Sequence, residues 1–252
     1  MEQGPADFAT YFDEWYADMA ESHGKDALVQ RHLGLPPDLL STSLLGWEGL
    51  GEVVAELRLD RGDVLLDLAC GRGGYGLGIA ARTGASLIGV DFSAEAVRQA
   101  NVLAQRRGQA AEFRVGDLAA TGLPDASVRG VACIDAIQFA VDLDAALTEV
   151  RRVLAPGGRV ALTCWQALDP SDDSIPARLH LDLESGLTRA GLADVVVRDR
   201  PEWLEQERAL WDEAAGLDPG DDAALRSLHE EAERALVIAG RTRRVLATAT
   251  AP

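Results

Sequence analysis

The sequence predicts an α/β chain built on a doubly wound, mostly parallel sheet. Three observations carry that reading. Short apolar runs recur from Val64 onward and alternate with helical patterns. The runs are apolar throughout instead of alternating with polar residues, as strands covered on both faces are. The first run passes through a glycine-rich turn into a helix, in "VLLDLACGRGGYGLGIAARTG" (64–84).

The elements follow in order. Residues 1–58 read as helical, with Phe8, Tyr11, Phe12, Trp15 and Tyr16 closely spaced. "DVLLDLA" is the first strand, "GYGLGIAARTG" a helix and "ASLIGVD" the second strand. "SAEAVRQANVLAQRRG" is a helix with Ser93 as N-cap and Glu95 in its first turn. "AEFRVGD" and "VRGVACID" are the third and fourth strands, "DLDAALTEVRRVLA" a helix, and "PGGRVALTCW" a turn and fifth strand. Beyond it, 175–190 reads as a helix and 194–200 as a short strand. Helices at 202–217 and 221–238 flank the turn "DPGDD", and "RTRRVLATATA" closes the chain as a strand. This divides the chain into a helical cap (1–58), a core (59–165) and the rest of the sheet with a helical insertion at about 201–239 (166–252).

Bulk properties narrow the partners. The 252 residues carry a formal charge of -17, and so acidic a surface repels phosphate backbones and anionic membranes. The densest basic cluster, Arg241, Arg243 and Arg244, lies inside the last strand pattern. No apolar run has the length of a bilayer span, and the first residues are acidic and amphipathic, unlike a signal peptide. Cys70, Cys133 and Cys164 sit in apolar segments, which predicts buried free thiols and a cytoplasmic protein. No Cys/His spacing suggests a metal.

Residues 71–76 match G-x-G-x-x-G, which serves nicotinamide dinucleotides and other adenosine ligands alike. Asp91, ending the second strand, suits a ribose diol in either case. Three features separate them. Asp67 stands just before the glycines, where a carboxylate opposes a pyrophosphate but welcomes an amino group. Asp117 ends the third strand, placed for an adenine amino group. A Pro-Gly-Gly turn precedes strand five in "EVRRVLAPGGRVALTCW". With "DLACGRGG", "GVDFS", "GDL", "CIDAIQF" and "RVLAPGG" in this order, the chain resembles the class I S-adenosylmethionine (SAM)-dependent methyltransferases over 64–165, in particular bacterial small-molecule (natural-product) enzymes.

The resemblance implies a Rossmann-like sheet with a final antiparallel strand, and SAM as cofactor with S-adenosylhomocysteine (SAH) as product. It implies that Asp67, Ala69, Gly71 and Gly73 shape the methionine pocket, with Ala69 in a less extreme backbone conformation than the glycine of many relatives. Asp91 would take the ribose, Phe92 the adenine face, and Gly116, Asp117 and Leu118 the adenine edge. Asp135, Ala136, Ile137 and Gln138 would line the methionine end, and Tyr11 or Tyr16 would close over the carboxylate. Arg72 is expected exposed or paired with a carboxylate.

The acceptor is expected to be a small organic molecule methylated at O, N or C, in secondary metabolism such as antibiotic biosynthesis. His180 is the leading candidate for a general base. His23 and His32 lie on the cap as candidates to face the pocket, His23 being a candidate acceptor contact, and His229 is expected in solvent. Phe139, Trp165 and Trp47 are candidate acceptor contacts, with core packing as the competing role. A monomer or homodimer is expected. Two other readings stay open: a SAM-binding relative of cyclase or structural type, and a nicotinamide-dependent oxidoreductase.

Overall fold

The computed structural model describes residues 5–20 and 22–252, with side chains from residue 10 onward, so the Phe8 side chain lies outside the described residues. Seven strands form one sheet: β1 (Val64–Leu68), β2 (Ser86–Asp91), β3 (Ala111–Val115), β4 (Val128–Ile134), β5 (Leu154–Ala167), β6 (Ala193–Asp199) and β7 (Thr242–Thr250). Their order is β3-β2-β1-β4-β5-β7-β6. The first five strands run parallel, while β7 pairs antiparallel with both β5 and β6. The expected sheet and its closing antiparallel strand are therefore present.

Strand order reverses between β1 and β4, and the crevice above that point is where open α/β sheets bind ligands. Helix α4 (Gly74–Thr83) starts there and returns the chain to β2. Helix α5 (Ala94–Arg107) links β2 to β3, and α6 (Leu143–Val153) leads into β5. Ser93 caps α5 by accepting from Ala96 N at 3.1 Å, as its position predicts. Two apolar cores cover the sheet faces, one including Leu65, Leu77, Leu87 and Ile134, the other Leu66, Leu68, Val131 and Val150. Adjacent β1 residues divide between them, which is why the strand is apolar throughout.

Helices α1 (Pro5–Met19), α2 (His23–Leu33) and α3 (Trp47–Leu57) precede the sheet. Helix α7 (Leu183–Arg189) packs near β6, and α8 (Pro201–Gly216) and α9 (Ala223–Ile238) form a pair inserted before β7. Among the described residues, no helix is long and apolar enough to cross a membrane. The expected helix over 175–190 is in fact broken. Only 177–179 form a 3-10 turn, and α7 starts afresh with Asp182 as its cap. Pro176 permits one tight turn, and the Asp182 carboxylate, accepting from Ser185 N, begins a new helix.

Candidate functional site

A cavity of about 970 Å³ opens over the carboxyl ends of the central strands, roofed by α1, α8 and α9. Its size suits a nucleotide-sized molecule together with a small second ligand. Of the sequence-predicted residues, Tyr11, Tyr16, Asp67, Ala69, Gly71, Asp91, Phe92, Asp117, Leu118, Asp135, Ala136, Gln138, Phe139 and Trp165 line it.

Burial decides the electrostatics under the glycine turn. Asp67 is 2 % exposed, and its Oδ2 has no hydrogen-bond partner. Burial pushes its carboxyl up to about 7, against the pull of the Gly76 N–H, with the Asp91 charge adding to the rise. Asp91 accepts from Gly71 N at 2.8 Å and Ser93 N at 2.9 Å, which ties the turn to the end of β2. Burial pushes it up to about 6 even so. Two buried carboxyls beside a cavity are unfavourable in isolation and become favourable around a positively charged ligand.

The three motif glycines do different work. A Cβ at Gly71 would lie 2.9 Å from the Tyr16 hydroxyl, so this glycine admits the α1 aromatic to the turn. A Cβ at Gly73 would meet Phe113 and Ala100, so Gly73 packs α4 against α5 and β3 and does not line the cavity. A Cβ at Gly76 would lie 2.4 Å from Asp67 Oδ2, so the third glycine makes room for the carboxylate. Gly76→Ala should cost about 1–3 kcal/mol of stability by overpacking and weaken SAH binding, as read by denaturant melts and calorimetry. Full-strength SAH binding by this variant would show that Asp67 is not held by that contact.

Ala69 departs from expectation. Its φ is +58°, the left-handed region, so alanine here adopts the conformation that glycine has more easily. Gly116 also stays off the cavity wall; its N–H donates to Asp91 O at 2.9 Å and continues the sheet ladder. Ile137 is fully buried in the core. Arg72 is buried and paired with Asp26 of α2 at 2.9 Å, fastening the cap to the turn. Phe92 meets Phe12 edge-on at 5.3 Å, and Phe12 also touches Phe139 at 6.1 Å, so α1 closes over the site through rings. Burial pushes the Tyr16 phenol well up.

The histidine and Trp47 expectations fail. Both ring nitrogens of His180 point at backbone carbonyls, Pro170 O at 2.9 Å and Ile175 O at 3.2 Å, and His180 does not line the cavity. It braces the loop after β5. Its replacement by alanine should therefore leave SAH affinity unchanged, and a large loss in titration would contradict that role. His23 is exposed at the start of α2, and His32 pairs with Glu213 at 2.6 Å; neither reaches the cavity. His229 is half-buried, its Nδ1 3.0 Å from Ala214 O, instead of solvated. Trp47 lies outside the cavity, stacked under the Arg82 guanidinium at 3.6 Å.

Three features were missed in the sequence. The segment from Ser41 to Leu44 lines the cavity and is stitched to β4 by Ser43 Oγ donating to Ile134 O at 3.1 Å. Beneath the floor lies a buried ionic trio. Arg244 of β7 is fully buried, 2.7 Å from Asp135 Oδ1 and 2.7 Å from Glu207 Oε1 of α8. Asp135, at φ +56°, also accepts from Thr163 Oγ1 at 2.6 Å and Leu44 N at 3.1 Å. Glu207 accepts from Trp165 Nε1 at 2.8 Å, and the Arg244 guanidinium sits 4.1 Å from the Trp165 ring. Burial pushes the Glu207 carboxyl up to about 8 although Arg244 pulls it down. Third, Glu231 of α9 lines the cavity. Its helical spacing from Ser227 and Ala235 was visible, but which face of α9 turned inward was not.

The cavity residues fit SAM. An orphaned buried carboxylate awaits an ammonium, a second acid ends β2, and a hydrophobic ring adjoins it. Among the described residues no group of His, Cys, Asp and Glu could hold a metal.

Residues 66–162 match the family described as "Methyltransferase domain". The chain is 34 % identical over 126 residues to a sterol 24-C-methyltransferase of Gibberella zeae, covering 48 % of this chain and 33 % of that one. It thus spans a third to two-fifths of the length of such curated relatives. Its fold is similar to the [4+2]-cyclase SpnF (TM-score 0.67, 23 % identity, 81 % and 79 % covered). It is also similar to geranyl diphosphate C-methyltransferase of Streptomyces coelicolor A3(2), solved with SAH (TM-score 0.70, 19 % identity, all of both chains covered). The methyltransferase domain matched over residues 66–162, together with the glycine turn and its buried acid, the β2 carboxylate and the sheet order, supports a class I SAM-dependent methyltransferase.

Proposed function

We propose that the protein transfers the methyl group of SAM to O, N or C of a small organic metabolite. The observation that carries this reading is Asp67, a buried carboxylate with an unpartnered oxygen beneath the glycine turn. A dinucleotide would bring a pyrophosphate toward that charge, whereas SAM brings an ammonium. Asp67 would hold the amino group, Asp91 the ribose, Phe92 one adenine face, and Asp117 with Leu118 the adenine edge. When bound, SAM supplies an electrophilic methyl on a sulfonium. The chain's own part is to orient the acceptor and exclude water, which Phe12, Phe139 and Trp165 around the cavity suit.

A secondary-metabolic role, as in antibiotic biosynthesis, a cytoplasmic location and a monomeric or homodimeric state belong to the same proposal. The cavity, sized for SAM with a small second ligand, and the charge of -17, which disfavours nucleic acid, support a small-molecule acceptor. Calorimetric titration with SAH and separately with NADH tests the reading. SAH binding without an NADH response is expected; NADH binding without SAH would return the chain to the oxidoreductases. Labelled SAM that binds yet never yields a labelled product with any bound acceptor would favour a cyclase or structural role.

A further inference from the structure

Helix α9 lines the cavity with Ser227, Glu231, Ala235 and Ile238, from Ser227, which accepts from Trp15 Nε1 of α1 at 2.8 Å, to Ile238, whose carbonyl accepts from Thr242 of β7 in the part beside Trp165 of β5. Glu231 makes no hydrogen bond or close ion pair with any described residue. The buried carboxylates near it, Asp135 and Glu207, are engaged by Arg244, whereas Glu231 is half-buried. Burial pushes the Glu231 carboxyl up, although Lys25, Arg234 and Arg178 pull it down through space.

Those three cations do not fill its place. The Lys25 ammonium is 2.9 Å from Met19 Sδ and lies over the Trp15 ring at 5.0 Å; it does not line the cavity and is shared with Asp26 and Asp222. Arg178 and Arg234 are exposed at the rim, where water and salt screen them. Six carboxylates and three arginines line the cavity as a whole, so its interior favours positive charge. Trp165, Trp211 and Phe139 line the same cavity, and its rings already attract cations: the Arg178 guanidinium lies 5.8 Å from the Phe139 ring and that of Arg244 4.1 Å from the Trp165 ring.

We propose that the acceptor carries a basic nitrogen, and that Glu231 holds its ammonium group between these rings. The inference rests on the reading of this half of the cavity as the acceptor site. Glu231 is a recognition group here; which acceptor atom receives the methyl is a separate matter.

Three near-isosteric probes test it: phenethylamine, 2-phenylethanol and phenylacetate, titrated into the full chain with and without SAH and followed by tryptophan fluorescence. The amine should bind roughly tenfold more tightly than the alcohol, on the scale of a charge-assisted contact with a cation–π contribution, and the acid most weakly. Glu231→Gln should reduce the amine to the level of the alcohol while SAH binds as before, and Glu231→Asp should restore part of the preference. Equal or tighter binding of phenylacetate, an amine preference that survives Glu231→Gln, or no measurable amine binding would overturn the proposal. An intact amine preference in a protein that ignores SAH would instead overturn the methyltransferase reading alone.

Discussion

Arg244→Met should destabilise the folded chain by about 3–5 kcal/mol, the cost of leaving buried carboxylates without their cation. Arg244 is fully buried and is the ion-pair partner of both Asp135 and Glu207. Methionine replaces the stem but nothing replaces the guanidinium. For a chain of 252 residues, such a loss lowers the melting temperature by about 6–20 °C. Adding Glu207→Leu and Asp135→Asn to Arg244→Met should recover much of the stability, because it removes the stranded charges. Urea denaturation of the single and triple variants makes the comparison. A single variant as stable as the parent would mean the trio contributes nothing to folding.

The second large effect is on ligand binding as a function of pH. In the free protein Asp67 titrates at about 7 and Asp91 at about 6, both raised mainly by burial. An ammonium beside Asp67 favours the ionised carboxylate, so the bound state has the lower pKa and binding releases a proton. Affinity for SAH should therefore rise with pH, by up to roughly tenfold per unit below 7, steepen below 6 where Asp91 joins, and level off above 7. Asp67→Asn should weaken SAH binding and flatten the rise between pH 6 and 7. Titrations in two buffers of different ionisation heat would count the protons. Proton uptake on binding, or an affinity that falls with rising pH, would contradict this role for Asp67.

Much of this site was legible because its residues lie at strand ends beside a turn. Asp67, Gly71, Asp91 and Asp117 each follow or end an apolar run, so their place at the carboxyl edge followed from the strands themselves. Residues whose role depends on distant partners were not legible. Arg244 reads only as part of a basic cluster inside the last strand pattern, because nothing near it in sequence announces Asp135 or Glu207. His180 reads as a base near the acceptor, but the break after Pro176 turns both its nitrogens onto backbone carbonyls. Trp47 and His23 share the cap with residues that do line the cavity, and only helix orientation separates them. Glu231 was hidden for the same reason.

A crystal structure of the protein with SAH tests the central claim most directly. The account predicts the ligand's amino group within hydrogen-bond distance of the Asp67 carboxylate, its ribose hydroxyls on Asp91, and its adenine between Phe92 and Leu118. The thioether sulfur should then face the half of the cavity walled by Trp165 and Glu231. SAH bound elsewhere, or reversed so that its adenine lies against Trp165, would contradict it.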